Sequence, residues 1–497
     1  MSRKGLEQPL GRRLWHFPGG IKLRHWKKLS ISDAIEDAGM PEVLTLPLDQ
    51  RQRVLPGSQP GPLPELAVTP GQRVARYQRL TASTPGSTAH LHAPTSGTIE
   101  FAPNERALRL VPDGRHEGTP LPPMPDWPAA AAETLRERIY EAGVVGLGGA
   151  LFPTRGKLTQ PARILIINGA ECEPYISCDE MLMRCEPEPL LKGALILGQI
   201  LGAEQIVVAI EDQMGKVLQI LAGAVAALDA ESRISVIKVP TIYPEGGENQ
   251  LIQVLTGLEV PSGGLPIDIG IVMQNVATAA ACYDAVAKGL PLVSRVVSVT
   301  GRGIRSPGNF RALLGTPFAF LIDRAGGYRQ PVSRLLVGGP MMGQAVADDA
   351  VPTTKATNCV LALTEADTKA RAPELPCIRC GECQRVCPAQ LLPQQLLWHI
   401  QDENWPAVRQ HHLADCIECG CCAYVCPSQI PLVDYYRQGK AQLRDIHDRD
   451  QEAARSQARH QTRDEKQAAQ DDAATRNPSD AVADAVAPAR TKRQHHD

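Results

Sequence analysis

The sequence predicts a multidomain α/β chain, and three observations carry that reading. Residues 41–120 hold short β-prone runs separated by prolines and glycines. From about residue 128, strand-like apolar runs alternate with longer segments of helical spacing. Toward the C-terminus a twelve-residue cysteine run occurs twice.

Composition narrows the function classes. The 497 residues are 43% hydrophobic, enough for several cores. A net charge of −2 gives no global pull toward nucleic acid or an acidic membrane surface. The longest apolar segment, LLKGALILGQILGA, carries Lys192 and is broken by glycines. It falls short of the roughly 18 to 20 apolar residues that span a bilayer. MSRKGLEQPLGRRLWHFPGG has no apolar core of signal-peptide length. We therefore expect a cytoplasmic chain that partners would hold at any membrane. Nine of the fourteen cysteines lie between Cys377 and Cys426, which favours metal binding over disulfides.

The elements follow in order. Residues 1–40 form a mixed N-terminal segment with a basic patch, KLRHWKKLS. In residues 41–120, VLTLPL, ELAVTPGQRVARYQRL and HLHAPTSGTIEFA read as a small all-β unit resembling lipoyl-like barrel-sandwich domains. The hairpin tip, where such domains carry a lysine, reads Pro94, Thr95, Ser96, Gly97, so the unit is structural. His90 and His92 beside it read as surface histidines, with a metal site as the alternative. After the proline-rich linker LPPMPDWPAA, residues 128–290 read as an α/β layer. AAETLRERIYEAG has helical spacing, with Leu135 and Ile139 four apart and Gly143 as the stop. RILIIN, QIVVAI and RISVIKVP read as strands of a largely parallel sheet, with helices beside them. Residues 291–350 form a smaller β/α unit. Residues 366–436 form the cysteine domain, with a helix through Leu396, Leu397 and Ile400, a break at Pro406 and a second helix. Residues 437–497 are a low-complexity tail, disordered or helical.

CIRCGECQRVCP and CIECGCCAYVCP share the spacing C-x2-C-x2-C-x3-C-P. Three thiolates two residues apart wrap three corners of a cubane from one loop, and the fourth points to the neighbouring cluster. One 4Fe-4S cluster is then expected on Cys377, Cys380, Cys383 and Cys426, and the other on Cys416, Cys419, Cys422 and Cys387. Cys421 falls where the first copy has Glu382, which leaves it spare. Zinc ribbons, the alternative, use C-x2-C pairs.

EAGVVGLGGALFPTRGKL is a glycine-rich loop without the dinucleotide fingerprint, and Arg155 and Lys157 could balance phosphate charge. A plain helix cap and turn is the competing reading. INGAECEPYISCDE follows a strand directly, which puts Asn168 at the carboxyl end where α/β sheets bind ligands, with Glu171 and Glu173 behind it. YPEGGENQL and VMQNVATAAA are similar polar loops.

Together, GLGGALFPTRGKL, NGAECEPY, GGENQLIQVLTG and QNVAT resemble the FMN-binding, NADH-oxidising subunit of respiratory complex I. With the paired cysteine runs and the lipoyl-like segment, residues 15–436 more closely resemble the C subunit of the bacterial Rnf (or Rsx) ion-translocating electron-transport complex. The resemblance implies that residues 128–290 are an FMN/NADH-binding domain and residues 291–350 a β-grasp SLBB-like module. It implies that the cysteine domain is a dicluster ferredoxin-type domain. It places Gly146, Gly148, Gly149, Lys157, Asn168, Glu171, Glu173, Gly247, Glu248, Asn275 and Thr278 in the FMN and NADH pocket. Three positions depart from complex I: Ala170 for Asp, Leu147 for Arg, and Gln274 for the first Asn of an Asn-Asn pair.

The implied function is that of a peripheral member of an ion-translocating oxidoreductase on the cytoplasmic face of the bacterial inner membrane. Its cofactors would be FMN and two 4Fe-4S clusters, with NADH as substrate. Its partners would be NAD(H) and other subunits of the complex, with no nucleic acid. Flavin converts hydride into single electrons, which clusters carry one at a time. An electron relay with no working flavin site is the main alternative; a zinc scaffold and a soluble NADH oxidoreductase are the others.

Overall fold

The short β runs of residues 41–120 close into an antiparallel sheet in the computed structural model, which describes residues 13–50, 63–82, 89–101, 106–149, 151–230, 232–368 and 373–475. Strands β1 (Leu44–Pro47), β2 (Arg73–Val74), β3 (Gly97–Phe101) and β4 (Ala107–Pro112) pair in the order β1–β4–β3–β2. Their alternation turns Leu44, Leu46, Ile99, Leu108 and Leu110 inward. At Gly97 a Cβ would lie 2.1 Å from the Val111 carbonyl oxygen, so only glycine lets the two strands close here.

His90 and His92, expected at the surface, are buried. The hairpin packs on the next domain, where the His90 ring lies 4.9 Å from that of Tyr140. The hairpin's own sequence does not encode that contact.

The α/β layer is a four-stranded parallel sheet. It contains β5 (Ile164–Gly169), β6 (Gln205–Glu211), β7 (Ile234–Val239) and β8 (Ile271–Asn275), ordered β7–β6–β5–β8. Helices α1 (Ala132–Glu141), α2 (Cys178–Cys185), α3 (Pro187–Leu201), α4 (Gly215–Ala227), α5 (Glu248–Thr256) and α6 (Val276–Ala287) surround it. Leu165, Ile167 and Val208 face α3 and α6, while Ile164, Ile166 and Val207 face α5, so both faces are covered. Each such buried side chain contributes roughly 1.5–3 kcal/mol. Gly193 of α3 sits where a Cβ would be 1.8 Å from the Ala279 carbonyl oxygen of α6, so the glycine permits the helix contact.

The third unit is a six-stranded mixed sheet formed by β9 (Ser294–Thr300), β10 (Gly308–Leu313), β11 (Arg334–Val337), β12 (Gln344–Val346), β13 (Cys359–Leu363) and the edge pair Glu36–Asp37. Helix α7 (Phe318–Arg324) buries Phe318 and Leu321 against Val297, Val299 and Val360. Strand β13 lies beyond residue 350, yet it sits inside the sheet, parallel to β9 and antiparallel to β11. CVLAL is a lone apolar run after a polar stretch, and only its pairing reveals where it belongs.

The cysteine domain repeats in backbone as well as sequence. Arg379 and Glu418 (φ 58° and 55°), Gly381 and Gly420 (79° and 81°), and Gln390 and Gln429 (53° and 54°) adopt matching left-handed conformations. Four-residue helices, Glu382–Arg385 and Cys421–Tyr424, follow the two glycines. Between the copies run helices Pro393–Gln401 and Trp405–Gln410. The break expected at Pro406 falls one turn earlier, because Pro406 lies in the first turn of the second helix, where its missing N–H costs no hydrogen bond. Asn404 caps that helix.

The chain divides into one unit up to Arg437 and a second from Gln438. The tail, read as disordered or helical, is helical to the end of Leu432–Thr475, and residues 476–497 lie outside the described residues. Among the described residues no helix is long and apolar enough to cross a membrane.

Candidate functional site

Asn168, next to last in β5, and Asn275, the last residue of β8, are register partners on neighbouring parallel strands. Asn275 caps α6: its Oδ1 accepts from the Ala277 amide at 2.8 Å, and its Nδ2 donates to Asp179 Oδ2 at 2.6 Å. Asn168 Oδ1 accepts from the Ala170 amide, and its Nδ2 donates to the Gly246 carbonyl, both at 2.9 Å. The strand ends are thus fixed by their own side chains.

The glycine-rich loop lies over this edge. The Leu147 amide donates to Thr278 Oγ1 at 2.8 Å, and the Gly146 amide to the Phe152 carbonyl at 2.8 Å. A Cβ on Gly148 would meet Asn275 Cβ at 3.4 Å, while Gly149, at φ 108°, opens onto free space. Lys157 Nζ donates to Glu248 Oε1 at 2.6 Å and to the Met273 carbonyl at 3.3 Å. Glu248 opens α5 after its N-cap Gly247. Gly146, Gly148, Gly149, Lys157, Asn168, Gly247, Glu248, Asn275 and Thr278 therefore gather around the carboxyl ends of β5 and β8.

Glu171 and Glu173 are engaged elsewhere. Lys27 Nζ lies 3.3 Å from Glu171 Oε2 and 3.8 Å from Glu211 Oε2, all of them buried. Glu171 Oε1 also accepts from the Asp179 amide at 3.1 Å. Burial disfavours charge on Lys27, but Glu171 and Glu211 outweigh it and hold the ammonium charged. Glu173 accepts from the Met341 and Met342 amides at 3.2 and 2.7 Å. Burial pushes its carboxyl up to about 7, against the pull of those two amides.

Asp179 is not among the residues expected from the sequence. Burial, then the charge of Glu171, pushes its carboxyl above the usual carboxylate range, while Asn275 Nδ2 donates to it. A cleft of about 380 Å³ on another flank of α6 involves Arg76, Leu147, Ala277 and Asp284, and none of the expected pocket residues lines it.

The cysteines divide between two cavities. One of about 320 Å³ is lined by Cys377, Cys380, Cys383 and Cys426. The other, about 20 Å³, is lined by Cys387, Cys416, Cys419 and Cys422, with Cys421 beside them. All fourteen cysteines are free thiols.

One turn joins the two regions. Tyr243 Oη donates to the Cys419 carbonyl at 2.6 Å, and three residues on, the Gly246 carbonyl receives Asn168. The N-terminal segment straps the same place. Ile21 pairs with Tyr243 through both backbone groups, and the Gly20 amide donates to the Val386 carbonyl at 3.0 Å, next to Cys387. A Cβ on Gly19 would lie 2.6 Å from the Val386 backbone, so glycine is required for that approach. YPEGGENQL marks the Tyr243 turn in the sequence, but nothing local marks its partner.

Four family models match in chain order. They are the RnfC barrel sandwich hybrid domain over residues 15–106, the Nuo51 FMN-binding domain over 139–284, the SLBB domain over 296–345 and a 4Fe-4S dicluster domain over 376–430. The C subunit of the ion-translocating oxidoreductase complex of Yersinia pestis is 42% identical over 89% of this chain and 71% of its own length. The chain belongs to the family of C subunits of ion-translocating oxidoreductase complexes. The corresponding proteins of Edwardsiella ictaluri and Pseudomonas aeruginosa are 42% and 44% identical over 91% and 90% of the chain. The chain spans 57% and 58% of the length of those two relatives. A solved NAD+-reducing [NiFe]-hydrogenase in the H2-reduced state aligns at 19% identity over 63% of this chain and 61% of that chain, with a TM-score of 0.44.

The residues present fit the groups for which the matched domains are named. One cysteine cavity offers four thiols and the other five, Cys421 included, all free of disulfides, and four such thiols suit a cubane. At the sheet edge the glycine loop brings backbone close to open space, with Lys157 as a nearby cation. Gln274 Nε2, at a position where this chain departs from complex I, is a buried donor with no partner among the described residues.

Proposed function

We propose that this member of the RnfC family is the peripheral, NAD(H)-reactive component of a membrane-bound ion-translocating oxidoreductase. It would bind FMN at the carboxyl edge of the parallel sheet and two 4Fe-4S clusters in the crossed cysteine sets. When bound, the flavin supplies the exchange between a two-electron hydride and single electrons. The chain would comprise the N-terminal segment 1–40, barrel sandwich 41–120, FMN/NADH domain 128–290, SLBB module 291–350 with the strand Cys359–Leu363 added to its sheet, dicluster domain 366–436 and tail 437–497.

The chain's own residues have distinct tasks. The amides of Gly148 and Gly149 and the Lys157 ammonium would hold a phosphate. Thr278 and Asn275 fix the loop and the start of α6 beneath it. Asn168, Glu248 and Gly247 border the same edge, and Asp179 holds or releases a proton there. The set of Cys416, Cys419, Cys422 and Cys387 is nearer the flavin edge, because the Tyr243 turn touches it. The set with Cys377, Cys380, Cys383 and Cys426 faces outward: Cys380 is exposed, as are Leu375 and Ile378 around it. Electrons would leave there for membrane-embedded subunits on the cytoplasmic face, with either direction of flow possible.

The observation that carries this reading is the turn Tyr243–Gly247, which contacts Asn168 at one end and Cys419 at the other. Anaerobic purification tests it. The account expects flavin released by acid and about eight iron and eight sulfide per chain. Zinc without sulfide would overturn it.

A second reading, a two-cluster relay without flavin, draws on the strand ends. The side chains of Asn168 and Asn275 are already committed to protein partners, and Leu147 and Ala170 add no polar side chain. Clusters without flavin would favour it.

A further inference from the structure

The cleft of about 380 Å³ on the flank of α6 has no task in the flavin and cluster reading. Three units meet there. Arg76 comes from the barrel sandwich, Ala281 and Asp284 from α6, and Arg295 and Arg311 from the mixed sheet. Ala277, Ala280, Ala281 and Asp284 fall at i, i+3, i+4 and i+7, so one face of the helix lines the cleft. Its three small side chains leave the space open, and Leu292 extends the apolar wall.

The charges around the cleft do not balance. Arg311 pairs with Glu186, and Lys288 with Asp284 at 2.7 Å. Arg76 and Arg295 form no ion pair among the described residues. The Arg76 backbone is held on both sides, by the Glu117 carbonyl at 2.7 Å and the Thr119 amide at 2.9 Å. Its guanidinium lies 4.7 Å from the Tyr77 ring, and its buried Nε has no hydrogen-bond partner among the described residues. Arg295 is 4% exposed and donates to the carbonyls of Lys355 and Leu147. Burial disfavours its charge and outweighs the nearby Cys178 and Asp179. An anion in the cleft would offset that cost.

We propose that this cleft binds a small organic anion, its carboxylate or phosphate drawn to Arg76 and Arg295 and its apolar body set against the alanine face of α6. A guanidinium takes either head group through paired N–H donors. The volume lies within the range of small-molecule sites. The lining includes neither Lys157 nor the strand residues Asn168 and Asn275, so binding here is independent of the flavin.

The test is isothermal titration calorimetry of the full chain with benzyl phosphate and, separately, phenylacetate. Saturable binding at a single site is expected, and the tighter probe identifies the head group. The halves alone (inorganic phosphate or acetate, and benzyl alcohol) should bind at least about tenfold more weakly. Arg76→Gln, at a partly exposed position, should weaken binding about tenfold or more. Ala281→Leu, which fills the cleft, should abolish it. Lys157→Gln, at the sheet edge, should leave it unchanged. Four results would each overturn the proposal: no binding of either probe, equal binding of a half alone, parent-like binding in Arg76→Gln or Ala281→Leu, and loss of binding in Lys157→Gln.

Discussion

The hydroxyl of Tyr243 donates a 2.6 Å hydrogen bond to the backbone carbonyl of Cys419, across 176 residues of sequence. The bond is buried and ties the turn beside Asn168 to the loop that carries three cysteines of one cluster set. In Tyr243→Phe the carbonyl would lose its donor without a change of shape. A cost of about 1–3 kcal/mol is expected. Cluster absorbance should bleach faster in the presence of a chelator, while initial iron content stays the same. Unaltered bleaching would contradict a fastening role.

Lys157 links Glu248 and the Met273 carbonyl at the sheet edge, partly in solvent. An ion pair of that kind contributes at most about 1 kcal/mol to folding. Lys157→Gln should therefore leave thermal stability almost unchanged yet weaken flavin retention, measured as flavin per chain after gel filtration. Retention equal to the parent would remove Lys157 from the phosphate-binding role.

Asn275 serves both the cap of α6 and the carboxylate of Asp179. Asn275→Ala should cost about 1 kcal/mol through the lost cap. Asn275→Asp keeps an acceptor for Ala277 but sets a second carboxylate against Asp179. It should raise the Asp179 pKa further, and the pH dependence of NADH reaction should move upward with it. A pH profile unchanged in Asn275→Asp would exclude Asp179 from proton handling.

Lys355 is buried, and burial brings its amine down to about 7. Its two hydrogen bonds, to the carbonyls of His90 and Gly143 at 2.6 and 2.8 Å, match the two N–H donors of a neutral amine. The folded chain then binds fewer protons than the unfolded one between about pH 7 and the ordinary lysine pKa. Stability therefore rises with pH across that window and loses this contribution below about 7. Lys355→Met should flatten the rise, read as the difference in denaturant midpoint between pH 7 and pH 10. Parallel curves for the two proteins would refute the buried neutral lysine.

How much of the structure is legible in the sequence depends on how local each interaction is. The cysteine runs place their residues by spacing alone, and the backbone repeats with them at Arg379 and Glu418 and at Gly381 and Gly420. The strands that carry Asn168 and Asn275 are readable from apolar runs followed by polar residues. The anchoring groups are not. Lys27 reaches Glu171 across 144 residues, and the Met341 and Met342 amides reach Glu173 across 168 and 169. A carboxylate in a loop looks the same whether it faces a ligand or a distant lysine. His90, His92 and strand β13 escape a local reading for the same reason: their surroundings come from distant parts of the chain.

The most direct measurement is an anaerobic titration of the purified chain with NADH, followed by flavin absorbance and cluster EPR together. The account predicts flavin bleaching and the appearance of cluster signals from two distinct centres. Loaded clusters that stay oxidised at every NADH concentration, with no flavin to bleach, would contradict it.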